Sequence, residues 1–316
     1  MNLWRLGANK KAVVLLGAGA SRGASFVSNK RILPPLDKDF FEQLQRLPAN
    51  GKELPHVQLL RLARDEFGQL LDITMESFFS QIQFLDSFHR ALKIDRGSRI
   101  KRYDNILSAF TSVIVEVFRE CFYDSSSQQM HNCGHHGVLA RVLEKDDTIM
   151  SFNYDCLMDL ALRKHAGKRW NTKCGYGFDI EHGCRGWQTH KGQGKTAKEH
   201  SIRLLKMHGS LNWDRTVPDS IKLRAEPYNT TGARKNREVI PPVWNKDILS
   251  DNIYQKVWRE ARNRLRGCKI LMAVGYSVPE TDLMSRSLIR VETPKLDYLI
   301  IANPSPVDRN RYTLPG

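Results

Sequence analysis

The run Ala12-Val13-Val14-Leu15-Leu16 passes directly into Gly17-Ala18-Gly19-Ala20-Ser21. Five consecutive apolar residues leave no alternate position for solvent, so the run reads as a strand covered on both faces, as in a parallel sheet flanked by helices. A glycine turn right after such a strand lets the backbone come close to a pyrophosphate, with the N–H groups of the next helix facing the anion. The spacing Gly17, Gly19, Gly23 departs from G-x-G-x-x-G. A tight strand-to-helix turn without a ligand is therefore the alternative for this segment alone.

Four more short apolar runs repeat the pattern. Residues 148–152 end at Asn153-Tyr154-Asp155, and 203–207 end at His208-Gly209-Ser210. Residues 269–274 end at Gly275-Tyr276-Ser277, and 296–302 end at Asn303-Pro304. Residues 157–162 and 257–265 carry helical periodicity, so strands and helices alternate in the later part. Between the first and second strands, apolar residues recur at helical spacing with little Gly or Pro, for example Phe40, Phe41 and Leu44, then Phe78, Phe79 and Ile82. This predicts a helical insertion over 38–130. Segment 163–206 holds eleven Lys or Arg against three Asp or Glu and reads as a basic irregular insertion on the surface. Segment 215–238 reads as irregular too. The expected fold is α/β, a Rossmann-like, mostly parallel sheet in one domain over 1–316, whose strand ends gather polar residues where open sheets bind ligands.

No apolar run reaches the length of a membrane helix, and the first residues lack a signal-peptide core, so a cytoplasmic protein with no membrane contact is expected. The net charge is +15. That excess suits nucleic acid, an anionic substrate or an acidic partner, but no aromatic–basic RNA motif or recognition helix accompanies it. The six cysteines, Cys121, Cys133, Cys156, Cys174, Cys184 and Cys268, show no C-x-x-C pair and read as free thiols. His131-x-Cys133-x-His135-His136 and Cys174…His182-x-Cys184 contain metal-ligand residue types at spacings that fit no standard zinc pattern, so no metal is expected.

Taken in order, Gly17 to Ser21, Asn153 with Asp155, His208-Gly209, Gly275-Tyr276-Ser277 and Asn303 resemble the five ordered motifs of the sirtuin superfamily. The two C-x-x-C pairs of the protein-deacylating sirtuins are missing, since only Cys268 lies between His208 and Gly275. Leu33-Pro34-Pro35-Leu36-Asp37 stands in place of their Pro-Asp-Phe-Arg continuation. The chain is more similar to the zinc-free sirtuin-like domains of bacterial anti-phage defence. Their shared features here are Ser151-Phe152-Asn153-Tyr154-Asp155, Gly175-Tyr176-Gly177-Phe178, His208-Gly209-Ser210-Leu211-Asn212-Trp213, Ile240-Pro241-Pro242-Val243-Trp244 and Gly275 through Asp282.

That resemblance implies an enzyme that hydrolyses NAD+ as substrate and acts as an abortive-infection effector. It assigns catalysis to Asn153 and His208. It assigns NAD+ binding to Gly17, Ala18, Gly19, Ala20, Ser21, Asp37, Asp155, Gly275, Ser277 and Asn303. It also implies a homo-oligomer and a triggering partner of ATPase, helicase or Argonaute type. Separately, the positive charge of the 163–206 insertion leaves direct nucleic-acid binding as a competing reading. Two alternatives stay open: an NAD-dependent protein deacylase, and a catalytically silent sensor that binds NAD or ADP-ribose.

Overall fold

The structure is a computed structural model. It describes residues 11–28, 30–48, 54–68, 73–93, 98–124, 129–181, 187, 201–229, 237–243, 250–293, 295–304 and 312. His182, Cys184 and Trp244, and with them most of 182–200, lie outside the described residues.

β1 (Ala12–Leu16) is buried along its whole length. Covering each of its larger side chains is worth roughly 1.5–3 kcal/mol. It passes into α1 (Ala18–Arg22), followed by a 3₁₀ turn at Asp37–Asp39 and α2 (Phe40–Gln45). The helical insertion continues with α3 (Pro55–Phe67), α4 (Met75–Leu92) and α5 (Ser98–Phe122). Its phenylalanines interlock edge to face, with Phe79 meeting Phe110 at 4.9 Å and Phe41 meeting Phe78 at 5.0 Å between ring centres. A small hairpin, β2 (Tyr123–Asp124) with β3 (Gln129–Met130), closes the insertion and leads to α6 (Gly134–Val142).

The remaining elements alternate as expected. They are β4 (Thr148–Ser151), α7 (Leu157–His165), β5 (Arg203–Lys206), α8 (Asn252–Arg266), β9 (Ile270–Val274), α9 (Leu283–Glu292) and β10 (Tyr298–Ala302). With β1 they form one five-stranded sheet in the order β10-β9-β1-β4-β5, with every neighbouring pair parallel. Leu16 pairs with Ser151 on one side and Val274 on the other. The chain therefore leaves β1 in one direction and returns in the other, which puts the switch point of the sheet at the C-terminal end of β1.

Two expectations change. Segment 215–238 is not simply irregular. β6 (Gly209–Val217), β7 (Ser220–Leu223) and β8 (Arg237–Val239) make a three-stranded antiparallel sheet in the order β7-β6-β8. β6 follows His208 at once, and its Ser210 and Asn212 are buried although polar. Nor is segment 163–206 confined to the surface. Trp170, Tyr176, Phe178 and Trp187 are all buried, and the rings of Tyr176 and Phe178 meet Trp213 of β6. The basic side chains disguise an aromatic core.

Among the described residues, no helix is long and apolar enough to cross a membrane.

Candidate active site

A cleft of about 830 Å³ opens over the switch point. Its wall draws on all five parallel strand ends. Ala18, Gly19 and Ser21 follow β1, Asn153 and Asp155 follow β4, and His208 follows β5. Gly275 and Ser277 follow β9, Asn303 follows β10, and Asp37 comes from the 3₁₀ turn. Gly17 and Ala20 stand behind this wall, linked by the bond from Ala20 N–H to the Gly17 carbonyl at 2.9 Å. A second cavity of about 540 Å³, between the β2–β3 hairpin and α7, is lined by Tyr123, Met130, Arg163, Lys164 and Tyr228 and shares no residue with the first.

The glycines of the turn serve packing first. Gly17 N–H donates to the Val274 carbonyl at 3.1 Å and Gly19 N–H to the Gly275 carbonyl at 2.9 Å. A Cβ on Gly17 would stand 2.6 Å from Cα of Tyr276, and one on Gly19 would stand 2.8 Å from Cα of Gly275. Two of the N–H groups expected to face a phosphate are thus engaged with the β9 loop.

Beyond the turn, one network joins the ends of β1 and β4. Asn153 Nδ2 donates to the Gly17 carbonyl at 2.8 Å and to Ser21 Oγ at 3.0 Å. Ser21 Oγ donates to Asp155 Oδ2 at 2.5 Å, while Asp155 Oδ1 accepts at 2.9 Å from the N–H of Leu157, the first residue of α7. With its nitrogen engaged on both sides, Asn153 keeps its amide oxygen for a ligand. Asp155 has both oxygens engaged and acts as a brace for Ser21. Behind it, buried Lys206 donates to the Asp155 carbonyl at 2.5 Å and pairs with buried Asp159, whose other oxygen accepts from Tyr176 OH at 2.6 Å.

His208 is 8% exposed and packs beside Phe152 and Tyr154. The carbonyl of His208 accepts from Ile240 N–H at 2.9 Å, and Tyr154 OH donates to the Ile240 carbonyl at 2.7 Å, which fixes that edge of the cleft. Phe152 and Tyr276 stack face to face, 3.9 Å apart and 3° from parallel. They reach across from the strands on either side of β1, and Gly17 is small enough to let Tyr276 close over the strand end.

Several residues in this site carry no role from the sequence alone, although Asp282 closes the Gly275-to-Asp282 motif. Asp282 is 3% exposed and lies 3.4 Å from His208 Nε2. It precedes an apolar helical run and so reads as a helix cap, which it also is, accepting from Ser285 N–H. Glu76 lines the cleft and accepts from Thr281 Oγ1. Its backbone N–H donates to Asp37 at 2.8 Å. Burial pushes the Asp37 carboxyl up, against the lowering effect of that bond and of Thr74. Burial likewise holds the Tyr154 and Tyr276 phenols well above their ordinary value. Among the described residues, two cations lie on the wall. Arg22 is tied to the Pro34 carbonyl at 2.6 Å and to Asp39, and Lys38 is exposed at the rim.

Among the described residues, no group of three or more His, Cys, Asp or Glu side chains is arranged to hold a metal. Cys121, Cys133, Cys156, Cys174 and Cys268 are free thiols.

A parallel sheet with polar side chains gathered at its switch point defines a ligand-binding α/β protein of Rossmann type. The profile of the SIR2-like domain matches residues 147–311, just over half of the chain, and the chain belongs to that family. The matched segment starts beside β4, so the glycine turn and the helical insertion precede it. Two solved structures are similar over most of the length. One, from work on the mechanism and regulation of Sir2 enzymes, has a TM-score of 0.41 at 14% identity, covering 97% of this chain and 86% of that chain. The other, a Sir2 mutant with a p53 peptide and NAD, has a TM-score of 0.36 at 11% identity, covering 96% and 85%. No curated protein matches the chain.

Proposed function

We propose that the protein is an NAD+ hydrolase that releases nicotinamide and ADP-ribose. The observation that carries this is the convergence of Asn153, with its amide nitrogen held and its oxygen left over, and His208 on one cleft at the switch point. Membership of the SIR2-like family supports NAD+ as the substrate.

In this reaction the C1′–N bond breaks and its electron pair neutralises the pyridinium ring, so the leaving group needs no proton. Water forms the new C1′–O bond and loses one proton. The barrier lies in the positive charge that builds on the ribose, which favours orientation and electrostatics over acid catalysis. Asn153 Oδ1 accepts from the water or a ribose hydroxyl, and His208 takes the proton. The carboxylates of Asp37, Glu76 and Asp282 lie around the cleft where positive charge is favoured. Lys38 at the rim, with Arg22 on the wall, suits the pyrophosphate. Ser277 and Asn303 suit the ribose hydroxyls.

The wider role that fits is an abortive-infection effector of bacterial anti-phage defence, assembled with copies of itself and switched on by a partner. Purified protein is incubated with NAD+, with and without neighbouring gene products. Nicotinamide and ADP-ribose should appear, and His208→Ala or Asn153→Ala should slow their release about 10²-fold or more. Equal rates for wild type and both variants sink the assignment. NAD+ binding without turnover under every condition would favour a silent sensor, and acyl-lysine cleavage would favour a deacylase.

A further inference from the structure

We infer that Asp282 is a positioning residue that orients and charges His208, so that the two work as a pair. This rests on the reading of His208 as the proton acceptor. His208 Nε2 is buried, has no hydrogen-bond partner, and faces Asp282 Oδ2 at 3.4 Å. Such a distance is an ion-pair approach rather than a hydrogen bond. Catalytic hydrogen bonds are often long in the empty site and tighten when substrate binds.

The arrangement has a chemical consequence. A carboxylate beside Nε2 favours the tautomer with its proton on Nε2, which leaves the lone pair on Nδ1 to receive a proton. The same carboxylate stabilises the imidazolium that forms afterwards. Every element packed against His208 bears on this balance. Asp282 from the start of α9, Glu76 from α4 and Asp37 from the 3₁₀ turn line the same cleft as His208, with Phe152 and Tyr154 beside the ring. Asp282 is the one for which an ion pair with the ring is found, and Tyr276 OH donates to its same oxygen at 3.4 Å. Its other oxygen caps α9 through Ser285 N–H. The capping bond anchors the carboxylate to a helix end, so its position does not depend on His208. A residue that served only as a cap would not need its second oxygen beside a buried, unsatisfied nitrogen.

Asp282→Asn keeps the cap and removes the charge, and Asp282→Ser also caps and serves as a second variant if the first fails to fold. The first measurement is the NMR titration of the His208 imidazole in the protein without NAD+, which needs no catalysis. The expected result is a titration midpoint about one pH unit lower in Asp282→Asn than in wild type. The second is the pH profile of NAD+ cleavage, where kcat should fall about tenfold with little change in KM, and the acidic limb should move to lower pH. Asp282→Glu should recover part of kcat. Identical His208 titrations in wild type and both variants overturn the pair and leave Asp282 a helix cap. Because the titration is independent of turnover, a protein that never cleaves NAD+ but shows the shift would overturn the proposed reaction and keep the pair.

Discussion

Gly19 donates its N–H to the carbonyl of Gly275 at 2.9 Å, so the turn after β1 and the turn after β9 are bonded backbone to backbone. Gly275 has a φ of +58°, and a Cβ there would stand 2.1 Å from the Ala20 nitrogen. Both the left-handed conformation and the contact exclude a side chain. Gly275→Ala should destabilise the fold by about 2 kcal/mol or more in urea denaturation. A variant with wild-type stability would show that the two turns are not in this contact.

The pair of Lys206 with Asp159 is buried on both sides, at 1% and 0% side-chain exposure. Removing one partner leaves a charge without compensation, at a cost of about 3–5 kcal/mol. Lys206→Met should lower stability by that order. Lys206→Met with Asp159→Leu should recover part of the loss, although Tyr176 and Asn212 would then lose their acceptor. A double variant no better than the single one would argue against charge burial as the cause.

Burial pushes the Asp147 carboxyl from 3.8 up to about 6, against the N–H groups of Glu144 and Ala12. Between about pH 4 and about pH 6 the folded state therefore holds a proton that the unfolded chain has released. Stability must fall as pH rises through that window, by about 3 kcal/mol, and stay level above it for this group. Asp147→Asn should remove that slope from a series of melting temperatures. An unchanged slope in the variant would contradict the assignment.

Cys133 has the opposite character. Burial pushes its thiol up, but the hydrogen bond and charge of His136, with the N–H groups of His136 and Ser25, outweigh this and bring it to about 6. Iodoacetamide should alkylate Cys133 with a pH midpoint near 6. Cys121 and Cys268 should stay unreactive at neutral pH, burial having pushed them up to about 12 and about 11. His136→Asn should move the Cys133 midpoint upward, and a wild-type midpoint near 9 would refute the pairing.

The five-stranded sheet was legible because each of its strands is a short stretch with an apolar centre, followed within two residues by a glycine, asparagine or histidine. The three-stranded sheet was not, although Leu211 and Trp213 alternate with Ser210 and Asn212 as the two faces of a strand do; that stretch reads first as the continuation of the His208-Gly209 motif, and its polar face is buried as fully as its apolar one. The anticipated site residues converge on one cleft, apart from Gly17 and Ala20 behind its wall. Their roles were less legible than their positions. Glycine spacing looks the same whether it admits a phosphate or another backbone, and only the approach of Gly275 separates the two. Asp282 stood in the Gly275-to-Asp282 motif without a role, because nothing in the sequence shows that it comes to lie beside His208 from so far along the chain.

The order β10-β9-β1-β4-β5 has a consequence for the chain during its synthesis. Asn153, His208 and Gly275 reach the cleft from strands that leave the ribosome long after β1, and Asn303 comes last of all. The helical insertion can begin to fold on its own early contacts, but β1 has no neighbour on either edge until β4 and β9 arrive. A nascent chain therefore carries no cleft, and whatever chemistry the cleft performs begins only when the last strand is in place.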